Sequence, residues 1–138
     1  MIEFEVLGIP KAQPRTKIAR HGAFVRAYDP AGKDKTNLAA EIKRHAPATP
    51  IDKPIAVKIY FFMPRPKSHF GTGKNSGKIK DNAPEWCGVK PDLDNMIKYI
   101  TDTMNGIFYR DDALIFWIIA SKRYGLTPKT TVKIDTLN

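Results

Sequence analysis

The sequence predicts an α+β fold: one small domain over residues 1–138, with a mixed β-sheet of about five strands and two main helices packed on it. Two stretches have the apolar spacing of amphipathic helices, and several shorter runs have the patterns of strands. These elements do not alternate strictly along the chain. With 138 residues and 42% hydrophobic content, the chain is long and apolar enough for one buried core.

Strand patterns occur at both ends of the chain and in its middle. Apolar and acidic residues alternate over residues 2–6, which predicts a half-buried strand ending at Gly8. The apolar run 55–63 predicts a deeply buried strand, and residues 114–124 are predicted as a central strand. The remaining strands are predicted as a short one over residues 23–28 and a last one, with alternating faces, over residues 130–134.

Both helices are predicted from their apolar spacing and their ends. The first is expected over residues 29–46, because Asp29-Pro30 is typical of a helix start. The second is expected over residues 95–105, because Asn105-Gly106 is typical of a helix end. Their apolar faces consist of Leu38, Ala39 and Ile42 in the first helix and of Met96, Ile97, Ile100 and Met104 in the second.

Positive charge is concentrated in the first two thirds of the chain. The formal net charge is +9 and the pI is about 9.7. Residues 1–90 contain seventeen Lys and Arg against eight Asp and Glu, whereas residues 91–138 contain six of each. Such a charge is typical of a protein that binds nucleic acid or an anionic surface. The alternative is a basic surface that serves only solubility.

The cysteine count and the length of the apolar runs indicate in which cellular compartment the protein is expected. Cys87 is the single cysteine, so an internal disulfide is excluded and a reducing compartment is favoured. The longest apolar run, residues 114–120, is too short to span a bilayer. Glu3 and Glu5 interrupt the apolar residues at the N-terminus, unlike a signal peptide. We therefore expect a soluble, cytoplasmic protein with no membrane partner.

Two basic segments are candidates for contact with nucleic acid. Residues 10–26 hold five basic residues and no acidic one, and their prolines and glycine predict a loop or irregular hairpin. Residues 64–90 form a long loop with six basic residues against two acidic ones, and loops of this length are usually functional or disordered. Phe70 and Trp86 within it are candidates to stack on bases, although anchoring a loop to the core is the commoner role of such residues.

Acidic residues gather around the second helix. Asp92 and Asp94 are two apart, so both side chains project from one face if the chain is extended as it enters the helix. Lys98 lies one helical turn beyond Asp94, and Asp111 and Asp112 open the following strand. A helix–turn–strand unit of this length can bring its two ends together. Three carboxylates meeting there would need a cation, and oxygen ligands favour Mg²⁺ or Mn²⁺ over zinc.

A purely structural interpretation of these residues stays open from the spacing alone. Asp94 suits an N-cap, and Asp92 suits the positive N-terminus of a helix. Lys98 has Asp94 and Asp102 as possible ion-pair partners four residues away. The later acidic pair is also typical of a turn.

The segment Lys90-Pro-Asp-Leu-Asp-Asn-Met-Ile-Lys98 is followed by Asn105-Gly-Ile-Phe-Tyr-Arg-Asp-Asp-Ala113. Together they resemble the core of the RusA family of Holliday junction resolvases, small endodeoxyribonucleases common in phages and prophages. Three further segments resemble parts of that family, namely Gly8-Ile-Pro-Lys-Ala-Gln-Pro-Arg15, Tyr28-Asp-Pro30 and Phe62-Met-Pro-Arg-Pro-Lys-Ser68. The family pattern has a polar residue where this chain has Leu114.

The resemblance implies a dimeric, Mg²⁺-dependent nuclease of DNA recombination and repair that cuts four-way junctions symmetrically, with Mn²⁺ as the alternative ion. It assigns the metal-binding carboxylates to Asp92, Asp94 and Asp112 and the catalytic lysine to Lys98. Asp111 falls beside the ligand position. Basic residues are expected to grip backbone phosphates, which position DNA without reading its sequence. The residues expected in this role are Lys11, Arg15, Lys17, Arg20 and Lys67.

Two other functions fit the composition. One is a non-catalytic, basic nucleic-acid-binding module whose acidic cluster is structural. The other is a nuclease for duplex DNA or for branched DNA other than four-way junctions. Cleavage of a labelled junction in the presence of Mg²⁺ separates the first alternative from a nuclease, and a substrate panel separates the second.

Overall fold

The computed structural model describes residues 1–14, 17–21, 24–28 and 32–136, and for 17–21 and 24–28 it describes the backbone alone. The strands are β1 (Ile2–Leu7), β2 (Lys17–His21), β3 (Phe24–Tyr28), β4 (Ile55–Met63), β5 (Ile115–Tyr124) and β6 (Lys129–Thr136). The helices are α1 (Gly32–Ile42) and α2 (Leu93–Met104). Short 3₁₀ turns lie at Lys43–His45, Lys67–His69, Gly73–Asn75 and Asp112–Leu114.

Four strands form the main sheet, in the order β1-β6-β4-β5. β6 runs antiparallel to both β1 and β4, and β4 runs parallel to β5, so the sheet is mixed, as predicted. The predicted count of about five strands is wrong, because the short strand predicted over residues 23–28 does not join this sheet. It is β3, and it pairs with β2 in a separate antiparallel hairpin. The α+β class and the two main helices are confirmed.

β4 and α2 form the centre of the core. Ile55, Val57 and Ile59 of β4 are completely buried, as are Met96 and Met104 on the apolar stripe of α2. The mostly apolar stretch 55–63 therefore predicts the most buried strand correctly, since its neighbours β5 and β6 lie on either side and the helix covers one face. Phe108 and Tyr109, just after α2, are also completely buried and close the end of the core.

β5 occupies the edge of the sheet, which contradicts its prediction as a central strand. An apolar run indicates burial on both faces, but it does not determine how many neighbours a strand has. Here β6 and β4 each lie between two strands, and β5 has a neighbour on one side alone. β5 also contains a bulge, because Ile55 pairs with Ile115 and Ala56 pairs with Trp117, leaving Phe116 as the extra residue.

The ends of both helices differ by a few residues from the predictions. Residues 29–31, where the first helix was expected to begin, lie outside the described part of the chain, and α1 ends at Ile42 before a 3₁₀ turn. α2 begins at Leu93, earlier than predicted, and the backbone N–H of Asn105 closes its end. Gly106 follows with a φ of 80°, which explains the glycine after this helix. Across the described residues, neither helix is long and apolar enough to cross a membrane.

Candidate active site

The first turn of α2 presents the two aspartates of the Lys90–Lys98 motif to solvent. Met96 and Ile100 face the core, so the opposite side of the helix, with Asp94 and Lys98, is exposed. Asp92 occupies the N-cap position, but its side chain makes no capping hydrogen bond. The structural interpretation gave the N-cap to Asp94, but Asp94 lies in the first turn of α2 and Asp92 lies at the helix N-terminus, as that interpretation expects for Asp92.

Lys98 is held by an acidic residue one turn further along α2. Its Nζ lies 3.3 Å from Oδ2 of Asp102, while 62% of the lysine side chain stays exposed. Lys35 of α1 approaches the same oxygen at 3.5 Å, so Asp102 bridges two cations on neighbouring helices. The pairing of Lys98 with Asp102 is one of the alternatives raised from the spacing, and it orients the lysine without burying it.

The acidic pair after α2 has two different environments. Asp111 caps the 3₁₀ turn, where its Oδ1 accepts a hydrogen bond of 3.1 Å from the backbone N–H of Ala113. That bond, followed by a hydrogen bond with Asp112, lowers the pKa of Asp111. The pKa of Asp112 is raised, first by the hydrogen bond with Asp111 and then by partial burial.

Asp112 also lies close enough to the exposed side of α2 to respond to its charges. The carboxylate of Asp102 raises the pKa of Asp112, and the ammonium of Lys98 lowers it. The fold therefore brings the end of the helix–turn–strand unit back beside α2, as the sequence suggested. Asp111 is engaged in capping, which agrees with its position beside the predicted ligand rather than at it.

Tyr109 fixes the connection that carries the acidic pair. Its side chain is completely buried, and its hydroxyl donates a hydrogen bond of 2.6 Å to the carbonyl oxygen of Thr101 in α2. Burial is the main cause that raises the pKa of this phenol, followed by the negative charges of Asp112 and Asp102. The hydroxyl thus stays protonated and ties residues 105–110 to the helix.

Lys122 of β5 anchors the segment that enters α2. Its Nζ donates hydrogen bonds to the carbonyl oxygens of Val89, at 2.5 Å, and Pro91, at 2.6 Å. Both carbonyls belong to the chain immediately before Asp92. Sequence reasoning missed this residue, because a lysine thirty residues away along the chain gives no local sign of such a contact.

An open groove of about 330 Å³ begins at Asp112. Its other walls are Thr101 of α2 and the start of β5, residues 115–118. A second cleft, of about 260 Å³, lies between the end of β1 and the two helices and includes Lys11 and Asp34. None of the three predicted metal ligands lines that second cleft, so the groove at Asp112 is the one connected to the acidic residues.

The predicted metal ligands are only partly brought together. Within the described residues, no three His, Cys, Asp or Glu side chains are arranged to hold a metal ion. The donor set itself fits Mg²⁺, because Asp92, Asp94 and Asp112 are all exposed carboxylates. Their roles as ligands stay predictions.

The predicted DNA-binding residues are distributed unevenly in the described chain. Lys11 is exposed, with Nζ 3.5 Å from Asp34 of α1, and Lys67 is exposed in its 3₁₀ turn. Lys17 and Arg20 belong to β2, for which the structure describes the backbone alone. Their side chains and the whole of Arg15 lie outside the described part of the chain.

A backbone contact brings the basic segment 10–26 to the acidic site. The N–H of Gln13 donates a hydrogen bond of 2.9 Å to the carbonyl oxygen of Asn95, in the first turn of α2. The start of this segment therefore lies beside the turn that carries Asp94. Proximity of a basic segment to carboxylates suits a site that handles a phosphate backbone.

The two aromatic residues of loop 64–90 behave differently. Phe70 is partly buried and forms a β-bridge with Ile79 inside the loop. Trp86 remains 57% exposed beside Arg123 of β5, whose guanidinium lies 5.1 Å from the ring centre. Trp86 therefore has an accessible ring, whereas Phe70 serves the internal structure of the loop.

Comparison with known proteins identifies the family. The sequence profile of the family described as Endodeoxyribonuclease RusA matches residues 8–135. The chain is 33% identical over 138 residues to the uncharacterized protein YqaN of Bacillus subtilis, covering 96% of this chain and 94% of YqaN. It is 28% identical over 123 residues to the crossover junction endodeoxyribonuclease rusA of Lactococcus phage r1t, covering 87% and 85% of the two chains. The chain therefore belongs to the RusA endodeoxyribonuclease family.

Proposed function

We propose that this protein is a cytoplasmic, Mg²⁺-dependent endodeoxyribonuclease that resolves four-way DNA junctions as a homodimer. Its membership of the RusA family carries the proposal. A relative that matches most of the chain is named a crossover junction endodeoxyribonuclease, which supports branched DNA as the substrate. The exposed carboxylates around α2 and the basic segment beside them supply the chemistry that such a reaction needs.

Asp92, Asp94 and Asp112 are the residues that would hold the metal ion. Bound to carboxylates, Mg²⁺ supplies an activated water and neutralises the phosphate oxygens in phosphodiester hydrolysis. Asp111 contributes indirectly, since its bond to Ala113 fixes the 3₁₀ turn on which Asp112 lies.

Lys98 stabilises negative charge on the phosphate. Its ammonium group is exposed, and the ion pair with Asp102 restricts where it points. A preoriented cation costs little reorganisation when charge develops on the phosphate during reaction. Asp102 is therefore a positioning residue that acts through Lys98.

The basic residues hold the DNA backbone. Lys11 and Lys67 are exposed, and the contact between Gln13 and Asn95 supports a path for DNA from the basic segment to α2. Contacts to phosphates fix the position of DNA without reading its sequence. A four-way junction has two-fold symmetry, so two symmetric cuts require a two-fold dimer.

Cleavage of a labelled synthetic junction tests this proposal. Wild-type protein with Mg²⁺ is expected to nick two opposing strands, and Asp92→Asn, Asp94→Asn and Asp112→Asn are each expected to lose cleavage while junction binding and thermal unfolding are retained. Asp111→Asn is the matched control, because asparagine also caps a turn and the same charge is removed next to the site. We expect it to keep most of the activity.

Three results would contradict the proposal. Absence of strand scission with any divalent ion would leave a non-catalytic nucleic-acid-binding module. Equal cleavage of plain duplex, flap and four-way substrates would leave a nuclease without junction specificity. Loss of folding together with binding in the aspartate variants would restore the structural interpretation of these residues.

A further inference from the structure

Trp86 is a large aromatic residue that the backbone holds at the surface. The N–H of Cys87 donates a hydrogen bond of 3.0 Å to the carbonyl oxygen of Lys122 in β5, and Trp86 itself forms an antiparallel β-bridge with Arg123. Although its backbone is attached to the sheet in this way, 57% of Trp86 is exposed. A side chain on a fixed backbone loses little conformational entropy when it binds a ligand.

Arg123 occupies one side of the Trp86 ring. Its guanidinium lies 5.1 Å from the ring centre, within the range of a cation–π interaction. The same guanidinium donates a hydrogen bond to the carboxylate of Glu85, so the cation is held between Glu85 and the ring. Since more than half of Trp86 stays exposed, the opposite side of the ring is the part that can accept a planar partner.

The Trp86 ring continues a row of cations and aromatic rings across the sheet. Arg123 pairs with Phe62 of β4, and Phe62 pairs with Lys129 of β6, whose Nζ lies 5.3 Å from the centre of the Phe62 ring. Paired residues of neighbouring strands have side chains on the same face. That face is opposite the core, because the residues on either side of Phe62 are buried. Cations combined with aromatic faces are typical of surfaces that bind nucleic-acid strands.

Trp86 also lies close along the chain to the proposed metal ligands. Asp92 follows six positions later, and a fully extended chain of that length spans about 20 Å. Lys122 holds the carbonyls of Val89 and Pro91 between them, so β5 anchors this whole connection. Nucleotides of one duplex strand are about 3.4 Å apart, so the ring lies within about six nucleotides of a phosphate bound at Asp92.

We propose that Trp86 stacks on a base at the branch point of the DNA substrate and thereby favours branched DNA over duplex DNA. This role rests on the proposed function, which supplies branched DNA as the substrate. In a continuous duplex, neighbouring base pairs cover both faces of each base. At a branch point the stack is interrupted, so a base face becomes available to an aromatic side chain.

The surroundings of the ring favour DNA over a protein partner. Loop 64–90, which carries Trp86, holds six basic residues against two acidic ones. Arg123 and Lys129 add two cations in the same row, each paired with one partly exposed glutamate. Exposed ion pairs contribute little, so a phosphate can replace the glutamate. The centre of a protein–protein interface, in contrast, is depleted of charged residues.

Binding measured in EDTA tests this role apart from cleavage. Fluorescence anisotropy gives the affinities for a labelled four-way junction and for a duplex with the sequence of one pair of arms. We expect Trp86→Ala to bind the junction about five- to 150-fold more weakly, the range for loss of one stacked base, and to bind the duplex as the wild type does. Trp86→Phe should keep most of the junction affinity, because it keeps an aromatic face.

Leu126→Ala is the matched control. Leu126 is an exposed apolar residue in the turn after β5, so its truncation removes apolar surface without removing an aromatic face. We expect both affinities to stay at the wild-type value. Trp86→Ala should also keep the wild-type slope of log affinity against log salt, since no cation is lost. Sedimentation velocity and thermal unfolding compare the oligomeric state and the fold of all variants.

Tryptophan fluorescence reports stacking directly. The chain contains two tryptophans, so the signal of Trp86 is the difference between the wild type and Trp86→Phe. We expect the junction to quench this signal, because a base stacked on the indole quenches its emission. The duplex at equal saturation should quench it much less.

The outcomes separate the stacking role from the proposed function. Unchanged junction affinity in Trp86→Ala would overturn the stacking role, and so would an equal loss of junction and duplex affinity. A changed oligomeric state that accounts for the loss has the same meaning. A protein that cleaves no DNA but loses its junction preference in Trp86→Ala would leave the stacking role standing and remove the nuclease function.

Discussion

Lys122 offers a specific test of how the structure positions the proposed active site. The change Lys122→Met removes the ammonium group that bonds to the carbonyls of Val89 and Pro91 and keeps most of the side chain length. Residues 89–91 then lose their side-chain attachment to β5, whereas the backbone bonds of Glu85 and Cys87 to β5 remain. We expect the variant to remain folded, because Val89 is exposed and water can donate a hydrogen bond to its carbonyl oxygen in place of the lysine.

The expected magnitude follows from those two bonds. A hydrogen bond from a charged donor contributes about 1.5–3 kcal/mol when it is shielded from water. Because one of the two bonds of Lys122 is exposed, where water can replace it, we expect the pair together to contribute roughly half of the value for two shielded bonds. A loss of about 2 kcal/mol lowers the melting temperature of a domain of this size by roughly 5–8 °C. If about 1.4 kcal/mol of this loss also raises the activation free energy of junction cleavage, the cleavage rate falls about tenfold.

The assay compares cleavage as a function of Mg²⁺ concentration with thermal unfolding. Because Asp92 is a proposed metal ligand, Lys122→Met should raise the half-saturating Mg²⁺ concentration, and Lys122→Arg should restore part of the loss. Lys133→Met is the control, since that lysine has only a 3.7 Å ion pair with Glu3 and its removal changes the net charge equally. An unchanged Mg²⁺ dependence in Lys122→Met would refute the positioning role, whatever happens to stability.

Three further predictions follow from the site. Tyr109→Phe should lower the free energy of unfolding by about 1 kcal/mol at pH 8, because the buried hydroxyl loses its bond to Thr101. Burial raises the pKa of Tyr109 above its ordinary value. The stabilisation by the hydroxyl is therefore fully present below about pH 10, where the unfolded phenol titrates, and is lost as pH rises further. The melting temperatures of the wild type and of Tyr109→Phe should therefore converge between pH 8 and pH 11. A difference between them that does not change with pH would contradict this prediction. Asp102→Asn should lower junction cleavage about three- to tenfold through Lys98, and any loss of stability should come mainly from its pair with the mostly buried Lys35, since the pair with the exposed Lys98 contributes little. Equal cleavage rates would show that the pair with Lys98 has no positioning role. Lys67→Met should weaken junction binding and reduce the slope of log affinity against log salt by about 1 if Lys67 contacts one phosphate, and an unchanged slope would exclude that contact.

Local patterns in the sequence predicted most of the secondary structure. The alternation at the start of the chain corresponds to β1, and the mostly apolar stretch 55–63 corresponds to the buried strand β4. The spacing of Met96, Ile100 and Met104 correctly placed one face of α2 in the core. These predictions succeed because periodicity and end residues act within a few positions of the chain.

The positions of the proposed site residues on their elements were predicted in part for the same reason. Asp92 and Asp94 lie at the start of α2, and Lys98 lies on the exposed side of that helix, as their spacing indicates. The approach of Asp112 to the same helix was an inference about a short helix–turn–strand unit, and the effect of Lys98 on its pKa agrees with it. The contacts of Lys122 and the role of Tyr109 were not predictable, since both depend on partners across the fold.

The sequence by itself determined the two main helices, most of the strands and the chemical character of this protein: a basic body and several carboxylates near one lysine along the chain. These properties are local, because they follow from residue type and from spacing along one element. Only the tertiary structure decided which strand lies at the edge of the sheet, that β2 and β3 pair apart from that sheet, and what holds the segment before Asp92. Strand order depends on which of all possible strand pairings is the most stable. The residue pattern within one strand does not determine which strands become its neighbours.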